Sequence, residues 1–162
     1  MEQKMKLKTA LLMTFVMCLL LCLYSLVLGR LAIAEGWAGF LFFWYWSTIK
    51  QFDLPCLKQD IPNTLVGIAA AFGMQLAVYN LSITLFWVIL FVVLFVIIGL
   101  SVTNLVPMAV GPTTFLYFTV LTGNLMLVQA NYIQVFISYI VGVLFFVLVL
   151  GTALKLITQK KK

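Results

Sequence analysis

Six apolar runs of about 20 residues follow one another along this chain, parted by short polar stretches. A run of that length matches the hydrocarbon thickness of a bilayer. No soluble core of 162 residues could bury six of them. Hydrophobic residues make up 65% and charged residues 9%, with a mean hydropathy of +1.20, whereas a soluble domain is about one-quarter charged. Gly and Pro are ordinary in number and there are three Cys, so fibrous, disordered and disulfide-scaffold classes are excluded. The fold class this implies is all-α: a polytopic membrane helix bundle forming a single transmembrane domain over residues 1–162. Its spans fall at about 9–29, 33–49, 61–79, 82–102, 106–122 and 132–154.

Charge sits outside the spans. Lys4, Lys6 and Lys8 precede the first run, and Lys155, Lys160, Lys161 and Lys162 follow the last. Lys50 and Lys58 share one loop with Asp53 and Asp60. With six spans, nine of the ten Lys and Arg residues share one side and only Arg30 is opposite. If the second and fifth segments merely dip into the bilayer, the split falls to seven against three. The positive-inside rule favours six spans with both termini cytoplasmic, and labelling of Cys56 from outside would overturn this. The basic ends also suit anionic lipid, at about 1 kcal/mol per Lys near the surface. No basic face exists apart from them, so nucleic acid is not an expected partner.

The amino end mimics a secretory signal, with Ala32-Ile33-Ala34 as a small-x-small site. The run from Thr9 to Leu28 is longer than a signal core of about 7–15 residues and Arg30 intervenes, so it reads as a retained span. Asn80-Leu81-Ser82 is a formal glycosylation sequon in a loop too tight to be an acceptor. Cys18 and Cys22 lie one helical turn apart without further ligands, and read as small packed hydrophobes rather than a metal site. With no His in the chain, the commonest general base and metal ligand is missing, and the carboxylates fall in loops or rims. A nucleophile and base within reach are therefore not expected, and neither an enzyme nor a cofactor site is read here.

The second and fifth segments are irregular. The fifth contains Asn104 to Thr114 with Pro107 and Pro112, each of which would cost about 3 kcal/mol inside a helix. From Pro112 to Thr122 a helix is only about 16 Å long, against a core of about 30 Å. One reading is a broken stretch feeding a half-helix, with Gly111 at its cap, Pro112 first, and Thr113 and Thr114 in its first turn. The other is a proline kink repaired by Thr hydroxyls and neighbouring helices. The second segment is short too, about 21 Å from Gly36 to Ile49. Seven of the ten residues from Trp37 to Trp46 are aromatic. An interfacial belt accounts for Trp44, Tyr45 and Trp46, and less well for Trp37 and Phe40.

Ordered as two groups of three, each group has its irregular segment in the middle. Three crossings per group would insert the second group inverted, as in many transporters with discontinuous helices. That symmetry is architectural and rests on no visible identity between the halves. In the third span, Gly67 with Ala71 and Ala69 with Gly73 are small pairs suited to tight helix packing. Gln75, Tyr79, Asn124 and Gln129 are polar but lie near span ends, where interfacial placement suffices.

Trp37-Ala38-Gly39-Phe40-Leu41, and the later Val106 to Phe115 with its Gly-Pro-Thr-Thr run, resemble the YcdZ-like small bacterial inner-membrane proteins, a family of unknown function. The resemblance implies an inner-membrane location and about six spans, and brings no substrate.

Two functions compete. A channel or secondary transporter for a small polar solute would bring Trp37, Gly39, Phe40, Pro107, Gly111, Pro112, Thr113 and Thr114 around a cavity. No span centre carries a charge, which argues against a proton relay. An accessory or structural membrane subunit would instead use the small residues of the third span and the aromatics of the second as contact surfaces. A homo-oligomer is compatible with either.

Overall fold

The structure, a computed structural model, describes residues 7–123 and 128–159, with side chains over 14–123 and 128–152. Lys4, Lys6, Lys160, Lys161, Lys162 and Asn124 lie outside the described residues, and Lys8 and Lys155 are described only as helix backbone.

Among the described residues every regular element is a helix and there is no strand. Helix α1 runs Leu7–Arg30. It ends in a tight reversal: Ala32 takes a left-handed φ of 54°, and the Ile33 amide donates back to the Leu28 carbonyl at 3.0 Å. Helix α2, Trp37–Trp44, continues as a π-helical turn over Tyr45–Ile49. Helix α3 is Leu57–Asn80 and carries Pro62 in its second turn. Leu81 and Ser82 reverse the chain into α4, Ile83–Thr103. Asn104 stops α4 with φ 52°, a left-handed position that Asn tolerates better than most residues. Helix α5 is only Pro112–Thr122, and α6 is Tyr132–Gln159.

Helices α3, α4 and α6 are each long and apolar enough to cross a membrane, and α1 is apolar over Thr14–Arg30. The chain is thus a membrane-spanning helical bundle of about six spans, with α2 and α5 short as the sequence suggests. The third span begins at Leu57 rather than Ile61, so Asp60 belongs to the helix.

The helices fall into two compact units. Residues 1–49 with 137–162 form one, and 50–136 the other. The division does not follow the chain halves: α3 joins α4 and α5, while most of α6 joins α1 and α2.

The first unit has an aromatic core. Tyr24 on α1 meets the ring of Phe40 edge-on at 5.1 Å and that of Phe146 at 5.0 Å. Phe43 and Phe146 lie 4.5 Å apart, and Phe42 stacks on Trp46 at 5.9 Å. This corrects the belt reading. Trp44 is 49% exposed, but Tyr45 is buried and Trp46 is fully so. Tyr45 and Trp46 follow buried Phe42 at i+3 and i+4, so both rings continue the inward face of α2. Cys18 and Cys22 are exposed on α1 and do not pack inside the unit, which costs a thiol little where the surroundings are lipid.

In the second unit α3 packs on α5 along Gly67 and Ala71, both buried. The other small pair does not pack: Ala69 and Gly73 are exposed, and a methyl added at Gly73 would meet nothing within 4 Å. Gln75 Nε2 donates to the Ala130 carbonyl at 3.1 Å and the Tyr79 hydroxyl to Val128 at 2.7 Å. These two residues therefore tie α3 to the stretch before α6, beyond mere interfacial placement.

Candidate site at the amino end of α5

The backbone from Asn104 to Gly111 is not helical span. Val106 accepts the amides of Ala109 and Val110 at 3.0 and 2.9 Å, making a single turn. Gly111 is then fully extended (φ −156°, ψ −169°) as the residue before Pro112 should be, and Pro112 opens α5. This is the broken-helix arrangement rather than the kink.

The α5 start seats on one face of α3. Asp60, Asn63, Thr64 and Gly67 recur at helical spacing, and all four are buried. The Thr113 hydroxyl donates to the Asp60 carbonyl at 3.3 Å. Thr114 Oγ1 donates to the Asn63 carbonyl at 2.8 Å, with Ala109 O at 3.3 Å, and accepts the Gly111 amide at 3.1 Å. The missing side chain of Gly67 permits this approach. A Cβ there would lie 2.6 Å from the Thr114 carbonyl oxygen and 3.1 Å from its Cα. Lys50 Nζ stands 3.6 Å from Asp60 Oδ2.

Buried side-chain polar atoms at this contact lack hydrogen-bond partners. Asn63 is fully buried, and neither its Oδ1 nor its Nδ2 has a hydrogen-bond partner. Its Nδ2 presses against the Cα of Gly111, where a Cβ would collide with it. Pro112 has no amide, and the amides of Thr113 and Thr114 lie in a first turn, where no intrahelical acceptor exists. Pro62 likewise denies α3 one donor beside Asn63.

The depth differs from a mid-membrane site. Thr114 meets α3 at Asn63, about 9 Å from the helix start, so the break lies toward one end of α3.

Of the eight residues expected together, Gly111, Thr113 and Thr114 are buried at this contact. Pro112 is exposed at the helix start, and Pro107 is half-buried in the preceding turn. Trp37, Gly39 and Phe40 belong to the first unit. There the Trp37 indole donates to Glu35 at 2.9 Å, and Gly39 packs on α6. Two cavities, of about 280 and 510 Å³, line up along α3 with α6 and along α3 with α4, and none of the eight residues borders either.

The first unit repeats the geometry. A Cβ at Gly142 would lie 2.6 Å from the Gly39 Cα. Moving 75 residues along the chain carries Gly39 to Thr114 and Gly67 to Gly142, so the two close contacts are the same pair. The same step carries the α2 start, Trp37, to the α5 start, Pro112, and the α3 start, Leu57, to the α6 start, Tyr132. Gly36, Phe40, Leu41, Phe43, Gln59, Val66 and Gly67 each find an identical residue 75 positions on. The chain thus carries an internal repeat, and the third helix of each repeat packs in the other repeat's unit.

Sequence reasoning missed Asp60, Asn63 and Thr64. The stripe Asp60-Asn63-Thr64-Gly67 was the available signal, as was the constant spacing between the two Gly-x-x-x-Phe-Leu-x-Phe runs. Compared with known protein families, curated proteins and solved structures, the chain has no match.

Proposed function

We propose that this membrane protein is a channel or secondary transporter for a small polar solute in the bacterial inner membrane. One observation carries the reading: the open start of α5 seats on a buried polar face of α3 in a chain otherwise built for lipid. Lipid cannot solvate such groups, so protein or a polar occupant must. The repeated broken segments support it, since discontinuous helices at matching positions are a common way to build a transport site. The positive-inside count supports cytoplasmic termini, and the resemblance to YcdZ-like proteins supports the inner membrane. Anionic lipid at the basic ends and self-association belong to the same reading, and catalysis does not.

The test is solute flux into proteoliposomes, with Thr113→Val, which keeps shape and removes the hydroxyl. Flux above protein-free vesicles that falls at least tenfold in the variant is expected. Flux equal to that of empty vesicles overturns the reading.

A second reading, a non-transporting membrane subunit, draws on α4. Only Phe86 and Ile97 of that helix are buried, while Phe91 and Phe95 are each 70% exposed, a surface fit for lipid or a partner helix. That reading requires no flux.

A further inference from the structure

The internal repeat supplies a control for the polar face of α3. In the first unit the same close helix contact is made with Ser138 and Ala38 at the positions that Asn63 and Thr113 hold in the second. Helix packing of this geometry therefore does not require a carboxamide or the Thr113 hydroxyl. Their polarity needs another reason, because an unpaired buried carboxamide is costly.

The donors and acceptors define what would satisfy them. Asn63 offers one donor and one acceptor side by side, both unpartnered, against Gly111 at the start of α5. The Thr113 and Thr114 amides offer two donors where the helix dipole is positive. Asp60 Oδ2 is a buried acceptor with no hydrogen bond, its charge balanced by Lys50 at 3.6 Å. A carbonyl oxygen suits the amides, and N–H groups suit Asn63 Oδ1 and Asp60. The balanced Asp60–Lys50 pair leaves no net charge to attract an ion. We propose that Asn63, Asp60 and the first turn of α5 form a binding site for a small neutral carboxamide-type solute bearing both a carbonyl and N–H donors. This deepens the permeation reading and rests on it only for the solute's passage.

Ligand-observed saturation-transfer NMR on the full-length protein in detergent, with acetamide, glycerol and formate as probes, tests the site. Asn63→Ser installs the residue that its repeat counterpart already uses, so folding should survive. Asn63→Asp is a second variant that keeps the size and loses the donor. Acetamide should give transfer, glycerol and formate should not, and both variants should weaken acetamide binding at least tenfold. No acetamide transfer in the natural chain, or equal transfer in the variants, overturns the proposal. Formate transfer exceeding acetamide overturns it in favour of an anion site. Flux of acetamide and glycerol into proteoliposomes separates the two claims. Acetamide binding without flux sinks permeation and leaves the site standing. Glycerol flux indifferent to Asn63 does the reverse.

Discussion

The Tyr24 hydroxyl does for Ser138 what the Thr114 hydroxyl does for Asn63: each donates to the backbone carbonyl at 2.8 Å. Ser138 and Asn63 are repeat counterparts, as are Gly39 and Thr114. At Gly39 the side chain is missing, and the phenol reaches in from α1 so closely that a Cβ there would collide with it. Gly39→Ala should therefore destabilise the protein by about 1–3 kcal/mol through overpacking. Tyr24→Ala is itself destabilising, but it should remove most of the Gly39→Ala penalty. A double-mutant cycle read by thermal unfolding in detergent checks the coupling. Additive effects would mean that the two residues do not share this space.

The repeat also predicts which glycines matter. Gly67→Ala drives a methyl into the Thr114 backbone and Gly142→Ala into that of Gly39, so each should cost about 1–3 kcal/mol. Gly73→Ala and Gly99→Ala meet nothing within 4 Å. They should be neutral or stabilise by up to about 1 kcal/mol, as Ala does over Gly in a helix. Melting temperatures of the four variants test the contrast.

Thr114 links three groups at the α5 start. Thr114→Val keeps its volume but strands the Gly111 amide and removes the extra hydrogen bond to the Asn63 carbonyl, at about 1–3 kcal/mol. Thr114→Ser should recover most of that loss. Equal stability of the Val and Ser variants would show that the hydroxyl is idle.

Cys56 donates its thiol proton to the Asp53 carbonyl at 2.9 Å. Partial burial pushes its pKa up to about 12, helped by the Asp60 carboxylate, with Lys50 opposing. The raised value favours the neutral thiol, so the reactive thiolate is scarce near neutrality and grows as pH rises. At pH 7.5 Cys56 should label with maleimide at least about tenfold more slowly than a cysteine at exposed Lys58, the gap narrowing in alkali. Comparable rates at pH 7.5 would contradict that local environment. Topology mapping is better served by Lys58→Cys.

The long elements were legible because lipid imposes one rule, apolar side chains over a helix of bilayer length, and α1, α3, α4 and α6 obey it. The start of α5 was legible residue by residue, since Gly111-Pro112 permits little else. What α5 rests on was harder to see. Asp60 reads as a loop charge until its helix is known to start at Leu57, and Asn63 carries no motif. The aromatic run misled because nearly every position is aromatic: with no polar face to contrast, the pattern does not announce that Phe42, Tyr45 and Trp46 share the inward side. The pairing of Gly39 with Gly142 joins positions from opposite ends of the chain, where local pattern is silent.

The exchange of third helices bears on how the protein is made. Residues 50–136 are contiguous, so their unit can assemble as soon as that stretch leaves the ribosome. The other unit is discontinuous. Its α1 and α2 emerge early, yet the Gly142 surface against which Gly39 closes is translated more than 100 residues later. Throughout that interval the Tyr24 phenol waits in the bilayer without Ser138, its 2.8 Å acceptor, and a stalled or truncated nascent chain would expose an unfinished aromatic cluster to the cell's quality control.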